Sequence, residues 1–175
     1  MADDAAPPPA SPLADAIKNA QDGNLTVNFS QGSPDSVRIN ADEFVYIERD
    51  CQAFKDEIRD LQRVAQNISD RDRWGLGETT DGMNSANTLV SRFRGKAKIV
   101  NTATDTDNNV YDILEKHYKI VDDIETLHRT IAEKFMQQDQ AFAARYNELK
   151  ATLEPSPIGT PMQPGVTTPG VGQSK

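Results

Sequence analysis

Apolar residues between Phe44 and Ile68 recur at alternating intervals of three and four positions. They are Phe44, Ile47, Cys51, Phe54, Ile58, Leu61, Ala65 and Ile68, and most of the positions between them carry charged or amide side chains. This spacing places the apolar side chains along one edge of a single helix, where they face a partner helix over several heptads. The sequence therefore predicts a helix whose main role is to bind other helices.

A second set of apolar residues predicts another long helix over about 85–153. The apolar positions that define it include Leu89, Phe93, Ile113, Ile120, Ile124, Leu127 and Ile131. Residues 102–109 are rich in weak helix formers but contain neither Pro nor Gly, so one continuous helix is favoured over two. We expect it to end before Pro155, and the first helix to run over about 40–68 with Asn40 as its cap. Residues 69–84 would form the connecting loop.

These elements predict an all-α fold, a long antiparallel helical hairpin that resembles a coiled coil and occupies residues 36–154. With equal rise along both helices, the second helix extends well beyond the start of the first. Its apolar side chains need cover, because exposed apolar surface costs about 25 cal/mol per Å². Three sources of cover are open: a second chain, residues 13–35, or a bend that returns the helix to the hairpin. A second chain, which would complete a four-helix bundle, is favoured.

The two ends of the chain have the composition of disordered segments. Residues 1–35 begin with several prolines, and residues 155–175 are rich in Pro and Gly. Such segments bury too little apolar surface to offset the entropy lost on ordering, so both are predicted to be largely disordered. Within the first, a short helix over Leu13–Ala20 and a short strand over Leu25–Phe29 are weaker predictions.

The composition argues against several functional classes. Acidic residues outnumber basic ones by 27 to 19, which is the reverse of the charge balance in nucleic-acid-binding proteins. The single cysteine, Cys51, excludes an intramolecular disulfide and a cysteine-based metal site. No apolar run approaches the ~20 residues that span a bilayer, and the N-terminus lacks the pattern of a secretory signal peptide. We therefore expect neither a nucleic-acid partner nor a membrane span.

Nothing in the sequence indicates catalysis. His117 and His128 have no cysteine or carboxylate partners at a spacing that stands out from a charged helix. The Gly75–Gly77 stretch lacks the Lys-Ser/Thr of a phosphate-binding loop. We expect no catalytic residues, no metal and no cofactor, and we expect that the protein is not an enzyme.

Three features in this order resemble the Trp-X-Gly helical-hairpin proteins of the actinobacterial type VII (ESX) secretion system. They are a long first helix, a connection in which Trp74 is followed by Gly75 and Gly77, and the sequence Tyr118-Lys-Ile-Val-Asp122 in the second helix. The Gly75–Glu78 run is also similar to the interhelical region of the EspC-like members of that group. A strict Trp-X-Gly motif needs Gly at position 76, where this chain has Leu76.

The resemblance implies a substrate or partner of a type VII secretion system, exported as a folded helical dimer. Such a protein is made in the cytoplasm and then secreted or held in the cell envelope without a cleaved signal peptide. Its partners would be itself or a related hairpin protein, and a secretion ATPase or secretion chaperone. The export signal would consist of Trp74, Gly75, Gly77, Tyr118 and Asp122, with Tyr111 and Glu115 as a secondary pair.

The hairpin core or interface is predicted from the same apolar positions. It comprises Phe44, Ile47, Cys51, Phe54, Ile58, Leu61, Ile68, Leu89, Phe93, Ile113, Ile120, Ile124, Leu127 and Ile131. The alternative function is a cytoplasmic coiled-coil adaptor or chaperone that is not secreted and acts only by protein–protein interaction. A structural protein of the envelope or of phage assembly is a third reading.

Overall fold

The computed structural model describes residues 11–25 and 39–159, and this part of the chain is all-α, as predicted. Its helices are α1 (Ala14–Gln21), α2 (Ala41–Ser69), α3 (Asn84–Ala97), α4 (Val110–Gln138) and α5 (Gln140–Thr152). The short helix predicted near the N-terminus forms as α1. Most of the predicted strand, and most of the residues predicted to be disordered, lie outside the described residues.

The beginning of α2 agrees with the prediction because its signal is local in the sequence. The side chain of Asn40 accepts a hydrogen bond of 3.1 Å from the backbone N–H of Asp42. Asp42 and Glu43 lie in the first turn, where negative charge is favourable beside the helix dipole. The helix continues for 29 residues without interruption.

α2 and α4 pack against each other along most of their lengths and run antiparallel. Glu48 of α2 pairs with Arg129 of α4, and fourteen residues further along α2 the side chain of Gln62 donates to the backbone carbonyl of Tyr111. Buried apolar side chains line the contact, among them Ile58, Ala65, Val121 and Ala132. This helix pair is the frame on which the rest of the chain is arranged.

The predicted continuous helix over 85–153 is wrong, because the chain leaves the helical conformation after Ala97. In the loop that follows, the carboxylate of Asp105 accepts hydrogen bonds from the backbone N–H groups of Val100 (2.9 Å) and Asn101 (2.8 Å). Asn109 then caps α4. Short polar side chains that bind backbone N–H groups compete with the helix, so neither Pro nor Gly is needed to end it.

A second break, at Asp139, separates α4 from α5 and was not predicted. Asp139 has φ −129° and ψ 109°, and its backbone N–H donates to the carbonyl of Phe135 at the end of α4. Its carboxylate accepts from the backbone N–H groups of Ala141 (2.8 Å) and Phe142 (3.1 Å). One residue thus ends α4 and caps α5, and the change of direction returns α5 to the beginning of α2.

The far half of α4 is covered from within the chain, in two of the three ways left open. At α1, the carboxylate of Asp123 accepts from the hydroxyl of Ser11 (2.6 Å) and from the backbone N–H of Leu13 (3.0 Å). At α5, Phe142 and Tyr146 are buried in one cluster with Ala41, Val45 and Ala132. The N-terminal segment and the bend therefore provide cover that was expected mainly from a second chain.

Candidate interaction surface

One face of the α2–α4 pair is both apolar and exposed. On α2, Phe54, Leu61 and Ile68 recur every seven residues and are 43%, 45% and 41% exposed. On α4, Ile113 and Ile120 are also seven residues apart and are 39% and 41% exposed. An interval of seven keeps side chains on one line along a helix that faces a partner helix. We call these five residues the apolar stripe.

The opposite edge of the α2–α4 contact is polar. The ammonium group of Lys55 lies 2.8 Å from the carboxylate of Asp122 and 2.6 Å from that of Glu125. One turn along, Arg59 pairs with Glu115 at 2.7 Å. These ion pairs form a ladder along one side of the helix pair.

Helix geometry places the apolar stripe on the other side. At about 3.6 residues per turn, Lys55 and Arg59 lie to one side of the buried Ile58, and the stripe residues of α2 lie to the other. On α4, Asp122 and Ile120 are separated in the same way by the buried Val121. Both helices therefore direct their apolar edges to the same side of the pair.

The face of α2 that α4 covers is rotated away from the apolar edge predicted from the sequence. Glu48, Lys55 and Gln62 are buried on it, as is Glu125 on α4. Burial of these polar groups is tolerated because each has a charged or amide partner across the contact. Since the polar face is used within the chain, much of the predicted apolar edge stays in contact with water.

Burial divides the predicted core or interface residues into three groups. Ile58 is buried within the chain. Phe44, Ile47, Cys51, Ile124, Leu127 and Ile131 are half-buried. The five residues of the apolar stripe are exposed, as are Leu89 and Phe93. For the exposed residues, a place in the chain's own core is wrong, whereas a place in an interface with another chain stays a prediction.

Trp74 lies in the loop between α2 and α3 and packs on α3. Its ring is stacked on that of Phe93, with centroids 5.8 Å apart and planes inclined by 12°. Gly75 and Gly77 have φ values of 74° and 87°, a conformation that favours glycine because other side chains clash with the backbone there. The two glycines thus allow the turn that presents Trp74 to Phe93.

Glu78 holds this turn together. Its carboxylate accepts hydrogen bonds from the backbone N–H groups of Trp74, Gly75 (3.2 Å) and Leu76 (2.8 Å). Because these bonds stabilise the ionised form, they lower the pKa of Glu78 to about 2. This role of Glu78 was not predicted; the nearest sequence signal is the capping box, in which a Glu side chain reaches back to an earlier backbone N–H.

Tyr118 and Asp122 lie one turn apart on α4, and both contact α2. The guanidinium carbon of Arg59 lies 3.8 Å from the centroid of the Tyr118 ring, and Lys55 donates to Asp122 at 2.8 Å. The predicted export residues on α4 are therefore part of the polar ladder. Asp122 keeps an exposed edge, with about half of its side chain accessible to water.

Tyr111 and Glu115, the secondary pair of the predicted export signal, also contact side chains outside α4. Glu115 accepts hydrogen bonds from Arg59 and Gln62, and the ammonium group of Lys98 lies 4.4 Å from the centroid of the Tyr111 ring. Among the described contacts, none joins Trp74 to either tyrosine. The two parts of the predicted export signal are thus separate surfaces of one chain.

No family model matches this sequence, and no curated protein or solved structure is significantly similar to it. None of the described helices combines the length and the apolar character needed to cross a membrane. In the same part of the chain, no three His, Cys, Asp or Glu residues are grouped so that they could hold a metal ion. Cys51 is a half-buried free thiol, and burial raises its pKa. The apolar stripe and the Trp74 loop are the surfaces on which a function can be argued.

Proposed function

We propose that this protein acts by pairing with another helical hairpin through the apolar stripe, and that it is a substrate or partner of a type VII secretion system. The observation that supports pairing is the exposure of Phe54, Leu61 and Ile68 beside the isoleucines of α4. Soluble monomers rarely expose a contiguous apolar patch of this kind without a function for it. A helix with the same seven-residue repeat would bury it.

The free energy of apolar burial indicates whether the stripe alone can stabilise a pair. Burying the exposed part of each stripe residue contributes about 1 kcal/mol, so two stripes that cover each other contribute about 10 kcal/mol. Association itself costs about 4–15 kcal/mol, which is of the same order. A stable pair therefore needs the exposed apolar residues near the stripe, Val64 and Val110, to join the interface.

The secretion part of the proposal rests on the Trp74 loop and on its position in the chain, between the first long helix and the tyrosine motif. Glu78 fixes this loop, and Leu76 and Met83 are exposed in it. A rigid loop with an aromatic ring and exposed apolar neighbours suits recognition by a secretion ATPase or chaperone, because little side-chain entropy is lost on binding. Tyr118 and Asp122 would supply the second part, and a partner chain could bring the two parts together.

Pairing is tested by size-exclusion chromatography with light scattering. The wild-type chain is expected to form a dimer, and Leu61→Glu to form a monomer that keeps its helical circular dichroism. Asn67→Glu, which adds the same charge at an exposed polar position of α2, is the matched control and is expected to stay dimeric. A Leu61→Glu variant that forms dimers as readily as the wild type would contradict pairing through the stripe.

Secretion is tested by expressing tagged variants in an actinobacterial host with an active type VII system. Trp74→Ala, Tyr118→Ala and Asp122→Ala are expected to remain helical and to lose export to the culture filtrate. Tyr46→Ala is the control, because Tyr46 and Asp50 repeat the tyrosine spacing on α2, outside the proposed signal. Export of all variants at the wild-type level, including Tyr111→Ala, would contradict the proposal.

The contacts of Tyr118 favour a second candidate, a cytoplasmic adaptor or chaperone. Arg59 covers the tyrosine ring and Lys55 holds Asp122, so both residues have a structural reason to be present. In that case the protein pairs through the same stripe but stays inside the cell. Trp74→Phe, which keeps an aromatic ring against Phe93, would then leave localisation unchanged.

A further inference from the structure

We propose that α5 is exchanged between two copies of this chain, so that the surface that binds α5 in one copy is occupied by α5 of the other copy. In the exchanged form, α4 and α5 are one continuous helix, and each α5 packs on α2 and α4 of the other chain. This inference depends neither on the apolar stripe nor on secretion. It is argued from the connection between the helices and from the contacts of α5.

The connection between α4 and α5 consists of Asp139 alone. Since its backbone N–H already bonds to the carbonyl of Phe135, the last turn of α4 is complete up to this residue. A rotation of the backbone at one residue is enough to convert the bend into a straight helix. Short hinges of this kind are the places at which proteins exchange elements.

The sequence around Asp139 is compatible with both forms. Gln138, Gln140 and Ala141 are good helix formers, and no Pro or Gly is near. Because these residues favour a helix, the sequence predicts no interruption at Asp139. What favours the bend locally is the Asp139 carboxylate, which caps α5. Loss of such a cap changes the balance between bend and helix by about fivefold.

The contacts of α5 with the rest of the fold are extensive and specific. Phe142 and Tyr146 are buried against α2 and α4. The guanidinium group of Arg145 makes two hydrogen bonds with the carboxylate of Asp42, at 2.6 and 2.7 Å. These contacts fix α5 in one position, and a second chain can supply all of them unchanged. Exchange therefore loses no packing and alters only the hinge.

A cross-link between Lys150 and Glu48 reports directly which chain supplies the α5 that packs on a given α2. The ammonium group of Lys150 lies 2.9 Å from the carboxylate of Glu48, so a carbodiimide can join them without a spacer. Lys55 and Asp122, 2.8 Å apart within the α2–α4 pair, report on a contact that exchange does not touch. A cross-linked peptide with one ¹⁴N half and one ¹⁵N half joins two chains, and in an equal mixture such mixed peptides are half of all interchain cross-links.

The experiment mixes equal amounts of ¹⁴N- and ¹⁵N-labelled full-length chain in denaturant, refolds them together at several concentrations, cross-links them and analyses the peptides by mass spectrometry. Exchange predicts mixed-isotope Glu48–Lys150 peptides whose share rises with concentration, while Lys55–Asp122 peptides stay unmixed. Asp139→Ala, which removes the cap, is expected to raise the interchain share by up to about 25-fold where that share is small, because an exchanged pair contains two hinges, whereas Asp139→Asn, which keeps a capping side chain, is not expected to raise it.

Gln140→Pro supplies the opposite test. Proline is favourable at the first position of α5, and the extended backbone of Asp139 suits a following proline, so the bent form is preserved. A continuous helix is then blocked, and the mixed peptide should disappear, while Gln140→Ala should leave it in place. Unmixed Glu48–Lys150 peptides in the wild type and in Asp139→Ala at every concentration would overturn the exchange. If such chains are still dimeric, pairing through the stripe stands without it.

Discussion

Single carboxylates fix the backbone of this chain where helices end or turn. Glu78 holds the Trp74 loop, Asp105 holds the loop after α3, and Asp139 caps α5. Each of them accepts hydrogen bonds from two or three backbone N–H groups that have no partner inside a helix. The backbone bonds also lower the pKa of Asp105 below its usual range. Part of the acidic excess of the sequence is therefore structural.

Ionisation of Glu78 is expected to control the order of the Trp74 loop. The folded pKa of about 2 lies below its ordinary value of 4.5, so the ionised carboxylate stabilises the loop. This contribution is complete above about pH 4.5 and is lost as the pH falls toward 2. Trp74 is the only tryptophan of the chain, so its fluorescence should be constant down to pH 4.5 and change below it.

Glu78→Gln should give the low-pH fluorescence already at pH 7, because an amide accepts these three hydrogen bonds less strongly than a carboxylate does. Glu133→Gln removes the same charge from an exposed position of α4 and is the control. An unchanged spectrum of Glu78→Gln would show that the carboxylate does not order the loop.

At the level of helices, the contact between α2 and α4 depends on buried ion pairs. Lys55 is buried between Asp122 and Glu125, and Glu125 is itself buried. Attraction between such groups offsets the loss of water only while every charge keeps its partner. This contact is therefore specific in register and sensitive to the removal of one member.

Lys55→Met is expected to destabilise the fold by about 2 kcal/mol, because the buried Oε2 of Glu125 loses its cation and only Oε1 keeps one, that of Arg129. The double variant Lys55→Met/Glu125→Leu should recover most of this loss, since no buried charge is then left unpaired: Asp122 is exposed and Arg129 keeps Glu48. Urea unfolding followed by circular dichroism measures both. A double variant as unstable as the sum of the two single variants would contradict the coupling.

Local signals made the beginning of α2 predictable, and distant contacts made the end of α4 unpredictable. Asn40 and Glu43 define a helix start within four residues. The bend at Asp139 has only the capping aspartate as a local signal, which does not stand out in a helix with many charged residues, and it is stabilised by Phe142 and Tyr146 packing on residues about a hundred positions earlier. The break after Ala97 lies between these two cases. The weak helix formers among residues 102–109 indicated an interruption but did not decide between one helix and two.

The same limit applies to the candidate surface. Periodicity identified Phe54, Leu61 and Ile68 as one line on α2, and the structure has them on one exposed face. Periodicity does not tell which of two neighbouring faces meets α4. That choice followed from the partners of Lys55 and Gln62 across the contact, which only the fold brings together.

For the whole molecule, the proposed pairing would link thermal stability to protein concentration. A partner that binds only the folded chain raises the unfolding temperature in proportion to the logarithm of its concentration. We expect the wild-type unfolding temperature to rise when the chain is concentrated a hundredfold. Leu61→Glu combined with Gln140→Pro, which blocks the exchange of α5, should unfold at one temperature at all concentrations. Scanning calorimetry measures this, and a concentration-independent wild type would contradict pairing.

The polar interior of the α2–α4 contact has a thermodynamic consequence. Where Glu48, Lys55 and Gln62 lie inside, unfolding exposes polar surface, which lowers the heat capacity, whereas apolar surface raises it. Folding of the single chain should therefore change the heat capacity less than its size suggests. Burial of the apolar stripe in a pair should make a further, negative contribution to the change in heat capacity. Pairing through the stripe should thus weaken on cooling, because apolar contacts lose strength at low temperature, whereas the ion pairs between α2 and α4 do not depend on them.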